Sequence, residues 1–211
     1  MSLNDLYTKE WMEAVAATER HSSVVIADTI ARHIKPKVAL DIGCGPCGVI
    51  NALRKRRCDA AGVDGSSHAL DFADPGTPVH IHDLTRALDL RLQVDVVICM
   101  EVLEHLPAHT ADIACHTIAR HAKDWLVFSA APPGQPGHHH VNLMPADHWI
   151  GHFERRGFQL QTTVMQRWVR DWRSKGVVHY FCDNLLVFRR AGQAGPPQRG
   201  RRQPARTRRA R

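Results

Sequence analysis

The segment Asp41-Ile42-Gly43-Cys44-Gly45-Pro46-Cys47-Gly48 concentrates residue types that do chemistry. Cys44 and Cys47 have the Cys-x-x-Cys spacing of a redox dithiol or of half a zinc site. Gly43, Gly45 and Gly48 have the spacing of a loop that turns sharply and lets its backbone approach a nucleotide-like ligand. Further along, Asp64 closes one apolar run, Asp83 closes another, and Glu101, Glu104 and His105 follow a third. A carboxylate at the end of such a run can accept from both hydroxyls of a ribose. His138, His139 and His140 end a Gly/Pro-rich segment and supply imidazoles able to move a proton near neutral pH.

Elements must end where these groups sit. Residues 4–17 and 22–34 have helical apolar spacing, the second with Ser22 or Ser23 as N-cap and Pro36 as its stop. Residues 38–43 form an apolar run of the kind buried on both faces of a sheet. Further strands are predicted at 60–66, 78–85, 94–100 and 124–131, and helices at 48–57, 66–73 and 109–122. A helix at 145–156 begins beside Pro145 and stops at Gly157. Residues 158–169 and 177–190 read as two closing strands joined by a turn. The alternation from 38 to 131 predicts an α/β fold with a doubly wound parallel sheet, whose ligands sit beyond the carboxyl ends of the strands.

A thioredoxin-type site also lies between a strand and a helix. That fold has fewer parallel strands than are predicted here, and Gly43 stands where its Trp would precede the first Cys. No second Cys-x-x-Cys completes a zinc site. Asp64 suits a ribose in nicotinamide and in S-adenosyl cofactors alike. Three features separate those two: Asp41 two residues before Gly43, Asp83 in the run His82-Asp83-Leu84-Thr85, and Glu101-Val102-Leu103-Glu104-His105 after the fourth strand. In this order they resemble the class I methyltransferases that use S-adenosyl-L-methionine (SAM), over about residues 20–190.

The resemblance implies a Rossmann-like, doubly wound, seven-stranded and mostly parallel sheet with an antiparallel last strand. It implies SAM as cofactor, contacted by Asp41, Gly43, Cys44, Gly45, Asp64, Asp83, Leu84, Met100 and Glu101. Asp41 would serve the amino-acid end and Asp83 the adenine amino group, while Cys47 stands where the family has its third glycine. The loop 129–142 resembles that of small bacterial and phage-type methyltransferases ending in His-Val-Asn, which points to His140 and Asn142 at the reacting atoms, with His105 as a further catalytic base. Trp149 and Asn184-Leu185-Leu186 match the same subgroup, and His138 and His139 are expected to be exposed neighbours. Tyr7 and Trp11, one helical turn apart, either cover the cofactor or pack the core, and Trp168 and Trp172 either line an acceptor pocket or pack.

The expected reaction is methylation of an oxygen of a small molecule or sugar unit, with nitrogen an open alternative and no metal ligand assigned. Glu101, Glu104 and His105 also resemble the metal-binding segment of small-RNA 3′-end 2′-O-methyltransferases, in which His140 would complete a Mg²⁺ site. A non-catalytic SAM-binding module and a nicotinamide oxidoreductase are the remaining alternatives.

The chain of 211 residues carries a net charge of +7. Seven Arg and no acid fall in residues 191–211; without them the 28 basic residues drop to 21, against 21 acidic ones. The expected organisation is N-terminal helices at 1–36 packing on a methyltransferase domain at 37–190, then a disordered Arg-rich tail at 191–211. Such a tail can make weak, non-specific polyanion contacts. Six scattered Cys read as free thiols. No apolar run reaches the roughly 18 residues of a membrane helix and no leader is recognised, so a cytoplasmic location without membrane contact is expected.

Overall fold

A computed structural model describes residues 2–192. The Arg-rich tail expectation, apart from its first two residues, therefore lies outside the described residues.

The chain opens with a single helical turn, α1 (Leu3–Leu6), held by a capping box in which Ser2 and Asp5 bond each other's backbone N–H. Thr8 then caps α2 (Lys9–His33). The two helices expected at 4–17 and 22–34 are instead this one 25-residue helix. No Gly or Pro interrupts it, and the serines read as caps are used in packing. Ser22 is buried and its Oγ accepts from Val178 N–H at 3.0 Å. Ser23 lies so close to Gly48 that a Cβ there would meet its Oγ at 2.5 Å.

The sheet is built from β1 (Val38–Ile42), β2 (Asp59–Asp64), β3 (Val79–Ile81), β4 (Val94–Met100), β5 (Ala122–Ser129), β6 (Phe158–Leu160) and β7 (Leu186–Arg190). Its order is β3-β2-β1-β4-β5-β7-β6. The first five strands are parallel and β7 runs antiparallel to both of its neighbours. This is the expected seven-stranded, mostly parallel sheet. The helices are α3 (Gly48–Arg54), α4 (Ala111–His121), α5 (Ala146–Glu154), α6 (Thr162–Ser174) and α7 (His179–Asp183). Residues 66–73 form a 3₁₀ turn at Ser67–Phe72, and the strand expected at 78–85 shortens to three residues.

Each face of the sheet has its own apolar layer. Ala39, Val96, Ile98 and Val127 pack with Ile26 and Ile30 of α2, Leu53 of α3, and Trp168 and Trp172 of α6. Leu40, Ile42, Val97 and Phe128 pack with Ile118 of α4 and with Trp149 and Phe153 of α5. Side chains alternate along each strand, so these are opposite faces.

The closing strands differ most from expectation. Of 158–169 only Phe158–Leu160 pairs, and of 177–190 only Leu186–Arg190 does. Between them lie α6 and α7. The Thr-Thr-Val and aromatic content of 162–169 suits a strand by composition, but Met165, Trp168 and Trp172 recur at helical spacing and pack one side of α6 onto the core. Trp172 is fully buried and its Nε1–H donates to Thr29 Oγ1 at 2.9 Å, which ties α6 to α2. No described helix is long and apolar enough to cross a membrane.

Trp172→Ala removes a filled indole and a buried hydrogen bond. It should lower unfolding free energy by about 3–5 kcal/mol, read as a shift of the urea midpoint followed by circular dichroism. An unchanged midpoint would contradict the packing of α6 on α2.

Candidate active site

The loops after β1 and β4 diverge, because the chain runs outward through β2 and β3 before returning to β4. A crevice opens at that switch point. Its floor is the loop from β1 to α3. Gly43 has φ +79°, and a Cβ there would lie 2.3 Å from Val102 Cγ2. Only glycine satisfies both the backbone and the space. Cys47 also has a left-handed backbone, φ +59°. Its thiol is turned inward, 3.4 Å from the Ala69 carbonyl and 3.9 Å from Cys44 Sγ. All six Cys are free and buried.

Asp64, at the end of β2, accepts from Gly45 N–H and Ser66 N–H, both at 2.8 Å. The carboxylate thus fixes the glycine loop as well as facing the crevice. Asp83 accepts from Thr85 N–H at 2.9 Å. Glu101 has a left-handed backbone, φ +54°, an unusual conformation for a residue with a side chain. Its carboxylate is held by Asn184 Nδ2 at 3.1 Å and Gln135 Nε2 at 3.1 Å.

The crevice has two adjoining cavities. One, of about 290 Å³, is lined by Asp41, Cys44, Met100 and His140. The other, of about 110 Å³, is lined by Asp64, Asp83 and Leu84. Gly43, Gly45, Glu101 and His105 line both. Every residue assigned from sequence to the cofactor or to catalysis in this way borders one continuous crevice, apart from Asn142. Asn142 is buried and turned to backbone: its Nδ2 donates to the Leu103 carbonyl and its N–H to that of Glu104. It positions the loop and does not face the cavity. Trp149, Trp168 and Trp172 are likewise core residues. His138 is exposed as expected, yet it is engaged: its Nε2 donates to the Leu6 carbonyl at 2.9 Å and its ring lies 5.6 Å from that of Trp11. Tyr7 and Trp11 both border the cavities, and Tyr7 meets His105 edge-on at 5.8 Å.

Two wall residues had no signal in any motif. Glu19 and Tyr180 line the larger cavity, and the Tyr180 hydroxyl donates to Glu19 Oε1 at 2.6 Å. Trp11, Val15, Glu19 and Ser23 all line that cavity at four-residue intervals. A stripe along α2 was the readable sign, once that helix was taken as continuous.

Among the described residues no Lys or Arg lines either cavity, while Glu19, Asp41, Asp64, Asp83 and Glu101 do. Burial pushes the Asp41 carboxyl up to about 7, with the charges of Asp64 and Glu19 adding to it. Burial raises Glu19 to about 7 against the opposing pull of the Tyr180 hydroxyl. Glu104, fully buried beside the crevice, is pushed up to about 8 by burial and then by Glu101. His105 is lowered to about 4, first by burial and then by His140, so it is neutral at physiological pH. Carboxyls lining a crevice with no cationic side chain among them favour a cationic ligand.

Strand order, the glycine loop and the acidic crevice together define the class I SAM-dependent methyltransferase fold. The methyltransferase-domain family matches residues 14–163, and the chain belongs to it. A ubiquinone biosynthesis O-methyltransferase from Paraburkholderia phytofirmans is 35% identical over 106 residues, covering 46% of this chain and 45% of that protein. The chain thus spans about half the length of the curated relatives it matches. Among solved structures, a SAM-bound amino pentose methyltransferase from Micromonospora echinaspora superposes with a TM-score of 0.63 at 16% identity, over 84% of this chain and 95% of that one. The SAM-bound magnesium protoporphyrin IX methyltransferase of Synechocystis gives 0.58 at 20% identity, over 84% and 81%. These two share the fold.

The raised carboxyls carry a pH signature. In the folded protein Asp41 and Glu19 hold protons to about 7, whereas unfolded they release them near 3.8 and 4.5. Stability from these groups is therefore full below pH 4 and lost as pH rises through 7. Ligand-free protein should melt at a lower temperature at pH 8 than at pH 6. Asp41→Asn combined with Glu19→Gln should flatten that difference; an undiminished slope in the double variant would refute the assignment.

Proposed function

We propose that this methyltransferase domain transfers the methyl group of SAM to an oxygen of an uncharged small molecule or sugar unit. The observation that carries the reading is the crevice charge: five carboxyls line it, with no Lys or Arg among the described residues. SAM supplies a methyl group on a sulfonium and brings an ammonium group, and both cations suit this wall. Asp41, Glu19 and the Gly43–Gly45 backbone would hold the amino-acid end. Asp64 would take the ribose hydroxyls, and Asp83 with Leu84 the adenine. The same wall disfavours an anionic acceptor such as a phosphodiester backbone, which weighs against an RNA substrate. That the matched relative is an O-methyltransferase supports oxygen as the acceptor atom. The sugar methyltransferase neighbour is compatible with a sugar unit.

Methyl transfer requires the acceptor in line with the methyl carbon, and a hydroxyl acceptor must lose its proton. His105 and His140, their rings 5.0 Å apart, both line the larger cavity. We assign them to the acceptor hydroxyl and its proton. Burial keeps His105 neutral, with a lone pair to offer. Tyr7 packs its ring against His105.

Calorimetric titration with S-adenosylhomocysteine, and with NAD⁺ in parallel, tests the cofactor. We expect binding of the former alone, near the micromolar range that corresponds to about −8 kcal/mol. Binding of NAD⁺ instead would remove the reading. With cofactor binding established, a panel of phenols, sugar hydroxyls and amines should yield O-methyl products. His140→Ala should then lower kcat by about 10²–10⁴-fold and leave cofactor affinity intact. Products on amines alone would rule out oxygen as the acceptor atom.

A further inference from the structure

Among the described residues, Glu104, His105 and His140 bring one donor atom each to within 4.8 Å of one another. Two of the three carry buried atoms that nothing in the fold satisfies. Glu104 is 0% exposed; its Oε1 accepts from Ala131 N–H at 3.1 Å, its Oε2 finds no donor, and the neighbouring Glu101 carboxyl repels its charge, so the pair calls for a proton or a cation. His105 Nδ1 is also buried without a partner. His140 donates from Nδ1 to the Gln135 carbonyl at 3.2 Å, which leaves Nε2 with the available lone pair. Buried polar atoms left unpaired are costly, and an ion that pairs them is one way to offset that cost.

We propose that Glu104, His105 and His140 hold a divalent first-row transition ion whose open positions face the larger cavity and take the acceptor's oxygen. This deepens the proposed function and rests on its reading of that cavity as the acceptor site. Two imidazoles and one carboxylate suit ions such as Zn²⁺, Mn²⁺ or Co²⁺ better than Mg²⁺, which prefers oxygen and water ligands. Three protein ligands with open positions are the arrangement of catalytic metal sites. An ion there would lower the pKa of a bound hydroxyl, the task otherwise left to the two imidazoles alone. Glu101 is not among the ligands, because Asn184 and Gln135 already hold its carboxylate. The set therefore differs from the Glu-Glu-His-His arrangement implied by the resemblance to the small-RNA methyltransferases. The surroundings are those of an oriented site: Ala131 N–H fixes Glu104, the Gln135 carbonyl fixes His140, and the N–H groups of Val141 and Asn142 bond the Glu104 carbonyl.

The test is titration of the chelator-treated full chain with Co²⁺, followed by visible absorption, with Mg²⁺ in a parallel calorimetric run. We expect one Co²⁺ per chain, with weak d–d bands and no intense near-ultraviolet thiolate band. Mg²⁺ should bind more weakly. Glu104→Gln and His140→Ala should each weaken Co²⁺ binding by more than about tenfold, while His109→Ala leaves it unchanged. Thermal melts establish that the variants fold; should the buried Glu104→Gln fail to, the half-buried His140→Ala still decides. No d–d spectrum, a spectrum indifferent to His140→Ala, or a thiolate band marking Cys44 and Cys47 would overturn the site. Titrating S-adenosylhomocysteine into the same metal-free samples separates the failures. If it binds and Co²⁺ does not, the metal falls and direct proton transfer by the histidines stands. If neither binds, both readings fall.

Discussion

Strand alternation leaves Asp41 no choice of face. Ala39 joins the layer beneath α2 and α3, Leu40 and Ile42 join the layer beneath α4 and α5, and Asp41 falls on the α2 side at the last step of β1. There it is 5% exposed, with Asp64 and Glu19 as its nearest charged influences and no opposing charge. A carboxyl so placed is stable only as the neutral acid or beside a cation. The architecture around it keeps the place open for a charged partner. Gly43 cannot carry a side chain, the long stripe of α2 forms one wall, and Glu101 is clamped at the opposite side by Asn184 and Gln135.

The cover over the crevice is built from weak, separable contacts. Asn4 Oδ1 accepts from Ser66 Oγ and from Ser67 N–H, and His138 reaches the Leu6 carbonyl. Tyr7 and Trp11 contribute ring contacts to His138, and Tyr7 to His105. None of these is an ion pair, and α1 itself buries no residue. By contrast, the crevice floor is part of the sheet and its loop is bonded into β2: Gly43 and Cys44 both donate to the Val63 carbonyl. Rigid floor and lightly held cover are the division expected where a ligand must enter and then be shielded from water.

The parts of the crevice that come from strand ends were legible in sequence; of those from the helical segments, Tyr7 and Trp11 were singled out and Glu19 and Tyr180 were not. Asp41, Gly43, Asp64 and Asp83 lie within a residue or two of a strand terminus, so a local motif places them. Glu19 and Tyr180 reach the same cavity from α2 and α7, and only tertiary packing decides which way those helices face. The break expected near Ser22 hid the stripe that contains Glu19. The strand expected at 158–169 failed for a related reason: Thr162, Thr163 and Val164 suit an extended chain, but packing Met165, Trp168 and Trp172 on one side, at steps of three and four, requires a helix. Asn142 shows the limit of reading a role from a motif. Its sequence neighbour His140 lines the cavity, while Asn142 itself is used to bond the turn that carries Glu104.

Charge is partitioned along this chain in a way that separates selection from attraction. The net +7 comes wholly from the Arg of residues 191–211, and the remaining basic and acidic residues balance at 21 each. Within that balanced part five of the 21 acids line the crevice with no Lys or Arg among the described lining, while several described Arg pair elsewhere, as Arg56 does with Asp28 and Arg120 with Asp89. A polyanion drawn by the overall charge would thus meet repulsion at the site of chemistry. Long-range fields decide how often a partner arrives, and local desolvated charge decides what is held. In the proposed function the second of these governs what the crevice holds, so the overall positive charge is a poorer guide to the ligand than the carboxyls around Asp41.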